Sequence, residues 1–180
     1  VGLGIGAVGT GMTIGLTLPI VGAAASMVKA ASDAEETQNK FGVVFRDVAA
    51  EAQAMADTLD ESFGMSQVEA KKLLSDTGDL LSGFGFSGQQ ALELSGQVQQ
   101  LAVDLASFTN VEGGAATASE ALTKALLGER EMAKQLGISI MEEDVKAQML
   151  INTQKGLTFE TERQAKAFAT LQLAQQQSAN

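Results

Sequence analysis

The sequence predicts an all-α fold of six or seven helices with glycine hinges and no sheet. Apolar residues recur at helical spacing, and no run alternates for long enough to make a confident strand. Ala, Leu, Gln, Glu, Ser and Gly dominate the 180 residues, while Trp, Tyr, His and Cys are missing and only eight Phe are present. Large aromatics normally supply much of a globular core. This composition is typical of an oligomeric assembly protein, either an extended or a folded-back helical bundle.

The missing residue types also exclude several kinds of chemistry. Without Cys there is no disulfide and no thiolate metal site, and without His there is no Ser-His-Asp triad. The net charge is −10 and the twelve basic residues are scattered, whereas nucleic-acid binding normally needs a basic surface. We therefore expect no enzyme, no cofactor, no metal site and no stable nucleic-acid binding.

Residues 1–28 are expected to form a first region, distinct from a helical region over residues 29–180, because the first contains no charged side chain. As a helix, it is long enough to cross a hydrocarbon core of about 30 Å. Two GxxxG spacings, which allow close helix approach in lipid, pair four glycines: Gly2, Gly6, Gly11 and Gly15. The region is either a buried, flexible or oligomer-packed segment, or one that enters a membrane.

A long helix is predicted to begin at Leu18–Pro19, since proline suits the first helical position, and to continue to about Phe63. Gly64 is expected to cap its end. Its apolar residues have the 4-3-4-3-4 spacing of a heptad-like seam, for a core or an oligomer: Phe41, Phe45, Val48, Ala52, Met55 and Leu59.

Two further helices follow. Ser66 with Glu69, and then Ser87 with Gln90, have the spacing of capping boxes, and the run "SGFGFSG" separates the two helices. The second helix carries a second seam: Leu94, Val98, Leu101, Leu105 and Phe108. Asp104 is either a solvated flanking residue or a buried partner of a basic side chain.

Acidic side chains elsewhere have ordinary structural interpretations. Asp76 and Asp79 lack convergent partners in the sequence pattern, so we expect them to be solvated. The acids Glu142, Glu143 and Asp144 resemble a carboxylate metal cluster, but adjacent helical residues point in different directions. Acids at this position favour the positive end of a helix dipole, so we expect them to start a helix.

The stretch "ALLGEREMAKQLGISIMEEDV", residues 125–145, is predicted to fold the chain back on itself. A helix capped by Thr117 and Glu120 should stop at Gly128, and a short helical piece should stop at Gly137. Ile138–Ser139–Ile140 then extends briefly before the acidic restart. Gly128 and Gly137 are the hinge candidates. Later helices are expected to end at Gly156 and to restart near Glu160.

Three stretches, in this order and spacing, resemble the phage tail tape measure family, also described as phage minor tail proteins. They are "TLPIVGAAASMVKAASDAEE" (17–36), "SGFGFSGQQALELSGQVQQLAVDLASFTN" (82–110) and "ALTKALLGEREMAKQLGISIMEEDV" (121–145). The last contains Gly128–Glu129 and Leu136–Gly137–Ile138. The resemblance covers roughly residues 17–180, so the chain is similar to an internal fragment of a longer protein.

This resemblance implies a structural role in the tail of a phage or a phage-derived particle. Tape measure proteins set tail length during assembly, fill the tail tube or tip, and leave at genome ejection, and some form a channel in the host envelope. The implied location is the tail interior or tip of the virion, then the host envelope during ejection. The implied partners are further copies of the chain (three or six), tail tube proteins, tail tip or baseplate proteins, tail assembly chaperones and, in some members, the host membrane.

The sequence is also consistent with one alternative function, from another class of protein. A membrane-active, pore-forming helical protein would use residues 1–28 as its inserting element. The resemblance supplies no catalytic residues for this region in either case.

Overall fold

A computed structural model describes the backbone of residues 10–179 and the side chains of residues 26–179. The described part is all-helical and contains no strand, as predicted. Its seven α-helices are α1 (Thr10–Val44), α2 (Ala49–Phe63), α3 (Gln67–Gly83), α4 (Gly88–Thr109), α5 (Gly114–Leu127), α6 (Glu142–Gln154) and α7 (Glu162–Ser178). Two 3₁₀ turns, Arg46–Val48 and Met132–Leu136, lie between helices.

The chain divides into two compact units, Val1–Thr37 and Gln38–Asn180. The change in composition after residue 28 falls inside the first unit. Helix α1 contributes residues to both units, and every buried cluster and ion pair described below lies within the second.

The predicted helix start at Pro19 is wrong, because α1 already includes Thr10 and Pro19 lies inside it. A proline inside a helix removes one backbone hydrogen bond, and here the helix continues on both sides of it.

The prediction of one helix continuing to Phe63 is also wrong. Helix α1 ends at Val44, and the Val48 N–H donates to the Phe45 carbonyl at 3.0 Å in a tighter turn. The Phe45 side chain, only 1% exposed, lies directly against Gly78 of α3. The break therefore places Phe45 in the core, while α2 packs on α3 and α4.

Most helix ends were correctly predicted from local sequence. Gly64 ends α2 in the left-handed conformation, with φ 65°. The Ser66 side chain accepts the Glu69 N–H at 3.2 Å, and the capping box of Ser87 with Gln90 is complete. These caps satisfy backbone groups that a helix end leaves unpaired.

The predicted cap formed by Thr117 and Glu120 is wrong. Helix α5 begins about one turn earlier, at Gly114, after Gly113. Both glycines have positive φ, 83° and 59°, a conformation that costs glycine little. These two glycines allow α5 to begin before Thr117, so Thr117 lies inside the helix and not at its cap.

Helix α4 lies at the centre of the second unit, where it contacts α2, α3, α5 and α7. Leu92 belongs to a buried cluster with Phe41, Phe45 and side chains of α2 and α3. The opposite side of α4, including Val98, belongs to a larger cluster with α5, α7 and the segment between α5 and α6. A helix with apolar residues all round is normally covered on more than one side, and α4 has so few charges for this reason.

Candidate interaction surfaces

The first predicted seam is divided between two helices and the turn that joins them. Its most buried members are Phe41, Phe45, Ala52 and Leu59, while Val48 and Met55 are half-buried. All six pack with residues of α3 and α4 in one cluster. This seam therefore contacts other helices of the same chain.

The second seam is interrupted at its last position. Leu94, Val98, Leu101 and Leu105 are buried in the larger cluster. Phe108, by contrast, is 89% exposed, so it does not belong to the core of this chain, and its place in an oligomer seam stays a prediction. The chain turns at Asn110, with φ 55°, and no described element covers Phe108 at the last turn of α4.

The glycine and proline candidates of the first region are not tested. Gly2 and Gly6 lie outside the described residues. Gly11, Gly15 and Pro19 lie on α1, but their surroundings are outside the described side chains. The membrane hypothesis for residues 1–28 therefore stays a prediction.

Each of the two hinge candidates lies at the end of a helical segment. Gly128 (φ 99°) ends α5, and Gly137 (φ 76°) ends the second 3₁₀ turn. Helical hydrogen bonding is not continuous between residues 125 and 145. The expected short helical piece from Glu129 is a 3₁₀ turn that begins at Met132.

The extended piece after Gly137 is held by a residue that the sequence analysis missed. The Ser139 N–H donates to Gln177 Oε1 at 2.8 Å, and Gln177 Nε2 donates to the Ser139 carbonyl at 2.8 Å. This side-chain amide imitates a strand partner, so Ile138 and Ile140 can point into the core on either side of exposed Ser139. The glutamine-rich end of the sequence was the only signal of this role.

The acidic residues that begin α6 act as a cap and an ion-pair partner. Asp144 Oδ2 accepts the Met141 N–H at 2.9 Å. Glu142 Oε2 lies 3.1 Å from Arg130 Nη1, and Glu142 Oε1 lies 3.7 Å from Lys166 Nζ. The hydrogen bond from Arg130 is the main cause that holds the pKa of Glu142 below its usual value. Among the residues that the structure describes, no group of acidic side chains is arranged to hold a metal ion.

Asp76 corrects the expectation of a solvated acid without partners. It lies 2.6 Å from Lys40 Nζ of α1 and 3.0 Å from Lys72 Nζ of its own helix. Partial burial raises the pKa of Asp76, but the hydrogen bonds from the two lysines outweigh it, so the pKa is lowered. Asp79 is exposed. Lys40 is far from Asp76 in sequence, so spacing alone could not show this pair.

A groove lies between α2, α4 and the end of α7, with Met55, Leu59 and Phe63 among its apolar lining residues. Its charged lining residues are Glu93 and Asp104, and no Lys or Arg lines it. Asp104 is exposed, which agrees with the solvated alternative.

Helix α6 has a polar inner side that its sequence did not reveal. Gln148 Nε2 donates to Asn152 Oδ1 at 3.1 Å, and both side chains donate to Gln172 Oε1 of α7, at 3.1 and 2.8 Å. The outward side instead exposes Leu150 and Ile151. The sequence did not indicate this orientation, because the apolar residues of α6 follow no single helical face.

Within the part of the chain that the structure describes, none of the helices combines the length and apolar character needed to cross a membrane. No protein-family model, curated protein or solved structure matches the chain.

Proposed function

We propose that this chain is a segment of a tape measure protein, a non-enzymatic component of a phage tail or phage-derived particle. It sets tail length during assembly, fills the tail tube or tip, and is released at genome ejection. Three observations support the proposal: the ordered motifs over residues 17–145, the all-helical fold, and the interruption of the helix at the stretch that most resembles the family.

One observation gives the strongest support: the heptad spacing of the first seam continues from Phe41 back along α1 through mostly exposed residues. Met27, Ala31, Ala34 and Gln38 precede Phe41 at a 4-3-4-3 spacing. Side chains 26–36 are exposed apart from half-buried Ala34. A heptad seam with exposed side chains suits bundling with identical copies. The 35 residues of α1 rise roughly 50 Å at 1.5 Å per residue, which is the geometry of a ruler.

Charge supports the same role. A chain of net charge −10 repels the phosphate backbone, so the genome can follow or pass it without being held. Three or six copies would match tail symmetry, packed against tail tube and tail tip or baseplate proteins after delivery by assembly chaperones. We place the chain in the tail interior or tip, and in the host envelope during ejection.

Tail length tests the ruler role. Deleting whole heptads from the rod-like part of the parent protein should shorten tails by about 10 Å for each heptad, measured by electron microscopy. Replacing the same heptads with unrelated heptads of equal length is the control and should preserve tail length. Tails of unchanged length after the deletions would exclude the ruler role.

The uncharged run over residues 1–28, with its GxxxG spacings, favours one alternative, a membrane-active pore-forming protein. Leakage from liposomes should then require these residues. The comparison is between the 180-residue chain and residues 29–180 at equal concentration, with circular dichroism to check that the truncated chain keeps the helices of residues 29–180. Equal leakage from both would remove the insertion hypothesis.

A further inference from the structure

Helix α6 divides its apolar side chains between its inner and its outer side. Its inner side buries two amides, Gln148 and Asn152, the latter only 1% exposed, whereas Leu150 is 60% and Ile151 41% exposed. Scattered exposed apolar residues are normal on a protein surface. The inner side of α6 also carries buried Val145 and half-buried Met149. The two amides occupy the rest of that side and leave Leu150 and Ile151 outside, although surface helices normally bury their apolar stripe. The outward side therefore has the character of a face that is covered by another molecule.

The outward side forms one continuous stripe. Glu143, Ala147, Leu150 and Gln154 follow a 4-3-4 spacing, which places them along one side of a helix. Ile151 lies beside this stripe, and the side chains of Glu143, Ala147, Leu150 and Gln154 are all exposed. The centre of the stripe is apolar and its ends are polar. Small Ala147 beside larger Leu150 leaves room for a close-packed neighbour.

The charges at the two ends of α6 favour one kind of neighbour. The acids Glu143 and Asp144 lie at the start of α6, and Lys155 directly follows its end. Glu143 and Lys155 take part in none of the ion pairs found among residues 26–179. A second α6 that runs in the opposite direction would place its Lys155 beside these acids, and the same contact would repeat at the other end. A parallel neighbour would instead bring like charges together, which is destabilising.

We propose that this side of α6, here called the α6 face (Glu143, Ala147, Leu150, Ile151, Gln154 and Lys155), binds the same face of a second copy in an antiparallel, two-fold pair. Such an interface is self-complementary. Ala147 faces Leu150 of the second copy, and Glu143 faces Gln154 and Lys155 of the second copy. The inference does not rest on the proposed tail function, since it concerns the chain in solution, before any assembly with parallel copies.

The first test measures self-association of the complete chain by sedimentation equilibrium. Leu150→Lys should weaken the pair about tenfold or more, because it removes a buried Leu from the interface. The matched control is Phe108→Lys, which changes another exposed apolar residue, one that lies outside the α6 face, and should leave the dissociation constant unchanged. Both variants should keep wild-type helicity by circular dichroism. An unchanged dissociation constant for Leu150→Lys, or a wild-type chain that is monomeric at all concentrations, would overturn the proposal.

The second test determines the direction of the pair, and the absence of native cysteine makes it unambiguous. Glu143→Cys and Gln154→Cys chains are mixed and oxidised, and the joined peptides are identified by mass spectrometry. The antiparallel pair joins position 143 to position 154. Each variant alone should remain unlinked, since its two thiols lie about 16 Å apart along the axis. Links of 143 to 143 and 154 to 154 would show a parallel pair, and either that result or no link would contradict the proposal.

Discussion

Gly78 determines how closely α3 can approach the turn that follows α1. A Cβ atom at this position would overlap the Phe45 ring. That ring is almost fully buried and stacks edge-on against Phe41, with the ring centroids 5.3 Å apart. Because neighbours hold the ring on both sides, it cannot move away without opening the core.

Gly78→Ala should therefore lower the free energy of unfolding by about 1–3 kcal/mol, as expected for overpacking. The matched control is Gly83→Ala in the same helix, where an added Cβ meets open space. This control should leave stability unchanged or raise it by up to about 1 kcal/mol. Urea denaturation of the complete chain measures both, and equal effects of the two substitutions would contradict the packing argument.

Asp76 connects α1 to α3 through charge. Its pKa is lowered in the folded chain, so its contribution to stability is present above the unfolded-state pKa and is lost as pH falls through the folded-state pKa. Asp76→Asn should destabilise the protein at pH 7 by less than about 1 kcal/mol, because the ion pairs are partly exposed.

The pH dependence provides the measurement for Asp76. Urea denaturation gives the free energy of unfolding of wild type and of Asp76→Asn. The difference between the two free energies should shrink once the pH falls below the unfolded-state pKa of aspartate, about 3.9. Asp79→Asn removes an exposed carboxylate three residues away and should change little at either pH. If the difference in the free energy of unfolding instead grew on acidification, the two lysines would not be stabilising the Asp76 carboxylate.

At the scale of elements, the helix boundaries come from local sequence, but the chain reversals also need glycine. Gly128 and Gly137 have φ of 99° and 76°, a region that costs other L-residues about 1–2 kcal/mol. A Cβ atom added at either position would meet open space. The requirement for glycine at these two positions is therefore one of backbone conformation, not of space.

Gly137→Ala should lower the free energy of unfolding by about 1–2 kcal/mol, and Gly137→Asn should lower it less, since asparagine tolerates the left-handed conformation. Gly42→Ala is a control with open space and no positive φ, and it should not destabilise the chain. Thermal or urea unfolding measures the series. The same effect for alanine and asparagine would contradict the conformational explanation.

At the scale of the whole molecule, the net charge of −10 sets which partners are favourable. Most lysines with described contacts are paired with carboxylates of the same chain, so their positive charges are partly neutralised. A mobility-shift assay at about 150 mM salt should therefore show no binding to duplex DNA. Retardation that weakens as salt is raised would contradict this expectation.

The sequence by itself determined the all-α class and most helix ends. Caps such as Ser66 and Ser87, and helix stops such as Gly64, act within a few residues, so their effect is visible in local spacing. The same local reasoning identified Gly128 and Gly137 as positions where the chain stops and turns.

Only the tertiary structure decided which sides of the helices are buried. It placed Phe45 against Gly78 and so divided one expected helix into two, it left Phe108 exposed, and it turned Gln148 and Asn152 of α6 inward. Burial depends on residues distant in sequence: Gln172 satisfies the amides of α6, and Lys40 reaches Asp76. The α6 face could not be predicted for this reason, because a helix pattern shows which residues share a side but not which side another element covers.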